Sequence, residues 1–289
     1  ENMSVCGITT FNPDLKRLEA NFNAILPQVG SVLVWDNGSD NYKEVIALAA
    51  SLSDKIHIAT EGSNKGVAYA LNRLCAYALE RDERDILLLD QDSEACENMY
   101  SNLIRYRTDN VAIVSPIISD INVRVDTSDL PEKEVCLLPI TSGSLTNLDA
   151  WKAIGGFDEK LFIDLVDTEY DIRALMKGYC SYRINTVVLT HEIGHIEPSG
   201  LPFPRIQQGK IVIRRGHRSG HSVFRTYYQI RNLLYVREKY GSFLKRMHIQ
   251  LQSPQSAIVH TLVFDPNRIQ RVRAILKAIR DSRTLFNKF

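Results

Sequence analysis

The 289-residue sequence lacks any run of about 18 apolar residues, which excludes a membrane-spanning helix. Its longest charge-free stretch, Met247–Phe264, contains His248, Gln250, Gln252 and Gln255 and is too polar to span. No secretory leader is recognisable, so a cytosolic chain is expected. Cysteine is sparse and odd in number: Cys6, Cys75, Cys96, Cys136 and Cys180 form no C-x-x-C pair and no tight cluster. That excludes a disulfide framework and a zinc–thiolate centre and fits a reducing compartment. There is no G-x-G-x-x-G after the first strand, no Walker A string and no G-x-S-x-G elbow, so dinucleotide, P-loop and serine-hydrolase sites lack their fingerprints. His191-Glu192-Ile193-Gly194-His195 spells the zinc-protease string, but that motif needs a helix. Here a β-rich run precedes it, Gly194 sits inside it, and Pro198 and Gly200 follow.

What is scarce locally matters more than the overall net charge of +1. Residues 1–204 hold 17 Lys and Arg against 31 Asp and Glu, a balance of −14; residues 205–289 hold 18 against 3, a balance of +15. An acidic body suits metal or neutral polar ligands, and a basic tail suits an anionic surface. Charge alone does not choose between nucleic acid and anionic lipid, or a tail that is merely solvated.

The first 115 residues alternate short apolar runs with helical patterns. Ser4–Thr9, Ser31–Trp35, Lys55–Ala59, Asp85–Leu89 and Asn110–Val114 are predicted strands. Leu15–Leu26, Tyr42–Leu52 and Gly66–Arg81 are predicted helices, the last with Val67, Ala70, Leu71, Leu74, Cys75, Ala78 and Leu79 in one stripe. Such alternation implies an α/β fold whose mostly parallel central sheet is flanked by helices. Ligands in these sheets bind beyond the carboxyl ends of the strands. The polar segments there are Asp36–Ser39, Glu61–Gly66 and Asp90–Ser93. Residues 116–140 read as irregular, with room for a hairpin. Pro198–Gln208 reads as a linker, and Thr226–Tyr240 and Arg268–Lys277 as basic helices.

Asp90-Gln91-Asp92 follows the buried run Ile86–Leu89, and two carboxylates there suit a hard divalent ion such as Mg²⁺ or Mn²⁺ that also takes substrate phosphates. Capping or turn formation is the simpler use of the same residues. Asp164, Asp167, Glu169 and Asp171 form a second acidic cluster at a predicted helix start. Carboxylates there can cap the helix, and one can take a proton from a hydroxyl nucleophile.

Taken in order, Thr9–Pro13, Asp36–Ser39, Asn64-Lys65-Gly66 with Asn72, Asp90–Ser93, Gly155–Asp158 and Asp167–Tyr170 resemble family 2 glycosyltransferases, and among them bacterial rhamnosyltransferases. Tyr227-Tyr228-Gln229-Ile230-Arg231-Asn232 resembles a segment that follows the catalytic domain in that group. The resemblance spans about residues 4–240 and implies a GT-A catalytic domain over 1–204, with 1–115 its nucleotide half and 116–204 its acceptor half. Residues 205–289 are then a basic helical extension. It further implies that Asp36, Thr9, Phe11, Asn64, Lys65 and Asn72 hold the nucleoside. Asp92, with Asp90 and Gln91 in the same motif, would serve the metal and ribose, and His191 would be a further metal ligand, with His195 in competition. Ser142 and Gly143 would line the donor floor. Asp167 would be the general base of an inverting transfer, with Glu169 and Asp164 on the acceptor side. The implied donor is dTDP-L-rhamnose, with UDP-hexose or UDP-galactofuranose as alternatives. The implied acceptor is an oligosaccharide on a lipid diphosphate at the inner face of the plasma membrane, in surface polysaccharide or O-antigen synthesis. On this view the tail meets anionic membrane, not nucleic acid, or else forms a homodimer interface. A sugar-1-phosphate nucleotidyltransferase would carry a glycine-rich, arginine-containing loop where Thr9–Pro13 stands. A glycosidase would need no nucleotide, and a non-catalytic glycan-binding protein would bind without turnover.

Overall fold

A computed structural model describes residues 4–120, 127, 129–191, 198–207, 210–217 and 220–286. The chain opens with β1 (Val5–Thr10), α1 (Leu15–Ile25), β2 (Ser31–Asp36), α2 (Tyr42–Leu52), β3 (Ile56–Thr60), α3 (Val67–Leu79) and β4 (Asp85–Asp90). These are the predicted alternating elements, displaced by a residue or two at their ends. The Asp14 side chain caps α1 by accepting from Lys16 N at 2.9 Å and Arg17 N at 3.1 Å, and Leu18, Phe22 and Ile25 bury its inner face. Gly66, at φ +95°, starts α3, because a Cβ there would lie 2.5 Å from the Phe162 carbonyl oxygen.

The chain continues through β5 (Ser93–Ala95), α4 (Met99–Ile104), β6 (Val111–Asp120), β7 (Lys133–Val135), β8 (Ser144–Asn147), α5 (Leu148–Ile154), α6 (Val166–Met176) and β9 (Cys180–His191). Among the described residues these strands form one sheet in the order β3-β2-β1-β4-β8-β6-β9-β5, with β7 also on β9. The parallel pairing expected from the alternation holds across β3-β2-β1-β4. Beyond β4 the sheet is mixed: β8 runs antiparallel to both neighbours, while β6 and β9 are parallel. Residues 116–120, expected to be irregular, prolong β6; β7 pairs with β9 instead of closing a hairpin on β6. The core is continuous from Ile8, Phe22, Val34 and Leu89 to Leu145 and Leu189.

The chain divides into two compact units, one comprising Glu1–Phe162 and Val166–Ile193, the other Ile163–Leu165 and Gly194–Phe289. The second contains β10 (Pro198–Gln207), β11 (Lys210–His217), α7 (Val223–Arg246), α8 (Pro254–Phe264) and α9 (Arg268–Phe286). Over Pro198–Gln207 the expected linker is thus corrected to a strand, β10, paired antiparallel with β11, and Gln208 lies outside the described residues. A two-stranded ribbon leaves outer edges where proline's missing N–H costs no ladder bond, and the register shifts between Pro198 and Pro202. Ile230, Leu233, Ala257, Ile275 and Ala278 pack the three helices together. Buried Arg271 donates to the Pro266 carbonyl at 2.7 Å, the His221 carbonyl at 2.6 Å and Thr226 Oγ1, and pairs with Asp265.

Candidate active site

The register of the parallel strands sets Thr9 opposite Asp90 and Thr10 opposite Asp36 at the carboxyl edge of the sheet. Asp36 is fully buried, and its carboxylate accepts four hydrogen bonds: Thr10 Oγ1 at 2.9 Å, Gly38 N at 2.9 Å, Ser39 N at 2.8 Å and Ser39 Oγ at 2.5 Å. Its observed work is to fold the Asn37–Ser39 turn over the ends of β1 and β2. Phe11 is exposed and its N–H donates to Gln91 Oε1 at 2.8 Å, so the residue between the paired aspartates ties β4 to the loop after β1. Beyond β3, Asn64 Oδ1 accepts from Gly66 N at 2.9 Å. Lys65 pairs with Glu61, which also accepts from Tyr69 Oη at 2.6 Å. The Lys65 bond holds the exposed Glu61 carboxyl below its ordinary range, and the same bond holds the ammonium above its own. An incoming phosphate would therefore compete with Glu61 for Lys65.

Asp90 ends β4 and Asp92 follows it; both are partly exposed. The Asp90 carbonyl accepts from buried Asn21 at 2.7 Å, which fixes the turn's entry. Ser93 Oγ lies 2.8 Å from Ser142 Oγ in a buried pair, and Gly143 N donates to the Leu88 carbonyl at 2.7 Å. Gly143, at φ +77°, has no room for a Cβ, which would meet Pro116 at 2.8 Å and Leu189 at 2.9 Å. The predicted floor residues are thereby joined to the residue after the paired aspartates. His191 stands opposite Ser93 in the β5–β9 register, next to the position of Asp92. Its place at the end of a strand is incompatible with a helical zinc-protease motif. His195 lies outside the described residues. By residue type, Asp90, Asp92 and His191 are oxygen and imidazole donors, a set that suits Mn²⁺ or Mg²⁺. Among the described residues no group of three such side chains is gathered as a metal site.

Asn72 departs from its expected role. Its Oδ1 accepts from Phe157 N at 2.8 Å and Trp151 Nε1 at 3.3 Å, while Nδ2 donates to the Phe157 carbonyl at 2.9 Å and Glu159 at 2.8 Å. With two donors and two acceptor positions filled, this amide clamps the Gly155–Phe157 turn onto α3 and has nothing left for a nucleoside. Glu169, expected beside the acceptor, is fully buried and bidentate with Arg173, Nη2 to Oε2 at 2.6 Å. Arg173 also donates to the carbonyls of Ile154 at 3.0 Å and Gly156 at 2.7 Å, closing the end of α5. Of the two roles the acidic pair could take, Glu169 has the structural one.

α6 starts at Val166, so Asp167 lies in its first turn, partly exposed. A carboxylate there gains from the helix dipole. One turn on, Asp171 is buried with neither carboxyl oxygen hydrogen-bonded. Burial drives its proton affinity far above the ordinary carboxylate range, and the Asp167 charge adds to that. Asp164 belongs to the other unit, where Arg225 grips its carboxylate through Nε at 3.0 Å and Nη2 at 2.9 Å. The Glu169–Arg173 clamp escapes motif reading; its one sequence signal is the four-residue spacing of the two residues.

The model of the family described as "Glycosyl transferase family 2" matches residues 5–161, just over half of the chain. The chain is 27% identical over 279 residues to the dTDP-rhamnosyl transferase RfbF of Shigella flexneri, covering 89% of this chain and 84% of that protein. Among solved structures it is similar to the mannosyltransferase PcManGT from Pyrobaculum calidifontis, a complex with GDP-Man and Mn²⁺, at 14% identity and TM-score 0.56, over 99% of this chain and 78% of that one. It is also similar to GalNAc-T7 with UDP, GalNAc and Mn²⁺, at 12% identity and TM-score 0.60, over 97% of this chain and 57% of that one. These structural likenesses concern the fold.

Proposed function

The chain belongs to glycosyl transferase family 2, and from that membership we propose that it is an inverting rhamnosyltransferase, taking L-rhamnose from dTDP-L-rhamnose to a glycan acceptor on a lipid diphosphate, in assembly of a bacterial surface polysaccharide such as O-antigen. The similarity to RfbF over nearly the whole chain supports the donor. The placement of Asp167 in the first turn of α6, partly exposed, supports the reaction.

Asp167 takes the proton of an acceptor hydroxyl as that oxygen attacks the anomeric carbon. The bond from that carbon to the diphosphate oxygen breaks on the opposite face, and configuration inverts in one displacement. Asp92 and Asp90, with His191 opposite the next residue Ser93, would hold Mg²⁺ or Mn²⁺. When bound, such an ion neutralises charge on the departing nucleoside diphosphate. The Asp36 turn, Phe11 and Asn64–Lys65 border the donor side.

We assign the unit containing α7–α9 to an anionic membrane surface. On α9, Ile269, Val272 and Leu276 are exposed on the face that also carries exposed Arg273, Arg280 and Arg283, the mixture of an interfacial helix. No helix among the described residues is long and apolar enough to cross a membrane, so association would be peripheral.

The test is nucleoside diphosphate release from a panel of dTDP- and UDP-sugars, with Mg²⁺ or Mn²⁺ and with EDTA, in the presence of lipid-linked acceptors. Release from dTDP-L-rhamnose that EDTA abolishes is expected. Asp167→Asn should lower transfer by about 10²–10⁴-fold with donor binding intact. Release from a UDP-hexose would keep the family and replace the donor.

A further inference from the structure

Three residues before Asp167 the backbone does something unusual. Asp164 and Leu165 adopt φ +65° and +62° in succession, a left-handed conformation that aspartate tolerates and leucine rarely enters. Such conformations persist where surrounding groups over-determine them. The surrounding groups here come from the Tyr227–Asn232 segment of α7, a motif for which the transfer reaction itself supplies no role.

Asn232 is fully buried, and its Nδ2 donates to the carbonyls of Ile163 at 2.7 Å and Asp164 at 2.9 Å. Its Oδ1 accepts from Arg231 Nε at 2.9 Å, so Arg231 sets which way the amide faces. The Arg231 guanidinium in turn lies over the Tyr228 ring at 4.6 Å and the Tyr227 ring at 5.6 Å, and Tyr227 Oη donates to Asp281 at 2.9 Å. Arg225, one turn earlier, holds the Asp164 carboxylate. Asn232 directly, Arg231 through it, and Arg225 thus act on Ile163–Leu165, the residues that lead by two peptide bonds into Asp167.

Resting on the reading of Asp167 as general base, we propose that Asn232, oriented by Arg231, is a positioning residue that holds the left-handed Asp164–Leu165 turn and thereby sets the start of α6 and the aim of the base. Neither residue touches substrate in this role. Misplacement of a reacting group by about 1 Å is enough to cost about 100-fold in rate.

The deciding experiment uses the full chain and Asn232→Asp, which keeps the shape of the side chain but removes both donors. Hydrogen–deuterium exchange of residues 163–170 should quicken by about tenfold with the sheet unchanged. Release of nucleoside diphosphate should fall by about 100-fold in kcat at an unchanged donor KM. Adding Leu165→Gly, which accepts positive φ without strain, should restore much of both. Unchanged exchange in Asn232→Asp overturns the proposal, as does faster exchange with wild-type kcat or failure of the glycine to restore either. If Asp167→Asn turns over normally the base assignment falls, while the exchange measurement still judges whether Asn232 holds the turn.

Discussion

A carboxyl group closed off from water without a hydrogen-bond partner costs about 1–3 kcal/mol, and Asp171 is such a group. In the unfolded chain it loses its proton near its ordinary value of about 3.9; in the folded chain burial makes it keep the proton to much higher pH. Above pH ~4 the unfolded state therefore binds fewer protons, and this residue's contribution to stability declines as pH rises, up to its raised folded value. Asp171→Leu should raise Tm, by several degrees at pH 8 and less at pH 5, in calorimetry across that range. An equal Tm gain at both values would contradict a neutral buried acid. Asp171 was legible as a member of an acidic string, but its burial was not, because that depends on packing by residues far away in sequence. The same holds for Asn72: the family resemblance implies a nucleoside contact, and only the folded Gly155–Phe157 turn reveals where its amide goes.

At the scale of elements, the parallel half of the sheet and its helices were readable from periodicity, since each strand is bounded by turn residues and each helix shows a single buried stripe. β8 and the β10–β11 ribbon were not. β8 is four residues long, Ser144–Asn147, with three polar side chains buried among neighbours, and proline and glycine disguise β10 as a linker. The start of α6 was located, but the clamp that braces α6 on α5 was not. Removing one partner of the buried Glu169–Arg173 pair leaves the other charge uncompensated, which costs about 3–5 kcal/mol. Glu169→Ala should accordingly lower the urea midpoint with an unchanged slope, and Glu169→Gln should fall by less because the amide still accepts from Arg173. A wild-type midpoint in both would mean that the clamp carries no stability.

At the scale of the molecule, the split between an acidic body and a basic tail was visible in composition, whereas the face of α9 that joins exposed apolar and basic residues emerges only from the helix. Acidic residues are nearly absent from the tail, and two of its three are engaged: Asp265 with Arg271, and Asp281 with Tyr227 and Arg280. Each basic residue near an anionic bilayer contributes about 1 kcal/mol, screened by salt. The full chain should co-sediment with phosphatidylserine vesicles at low salt, stay free of phosphatidylcholine vesicles, and be released at high salt. Leu276→Glu with Ile269→Glu should weaken binding more than Arg→Glu changes of equal charge at positions off that face. Equal weakening would point to charge alone, and salt-insensitive self-association would point to contacts between copies of the chain.

The three residues Ile163–Leu165 belong with the carboxyl-terminal helices, although they interrupt the sheet-bearing unit. In terms of heredity, this makes the protein a poor subject for shuffling. A single crossover anywhere between Ile193 and Arg225 would deliver the sheet, its loops and Asp167 from one parent, and Arg225 with Arg231-Asn232 from another. The turn and its keepers would then be strangers, unless both parents carried the same pairing. Exchange of acceptor preference between relatives by swapping one contiguous block is accordingly harder than the apparent order of the chain suggests, and the two segments are expected to travel together.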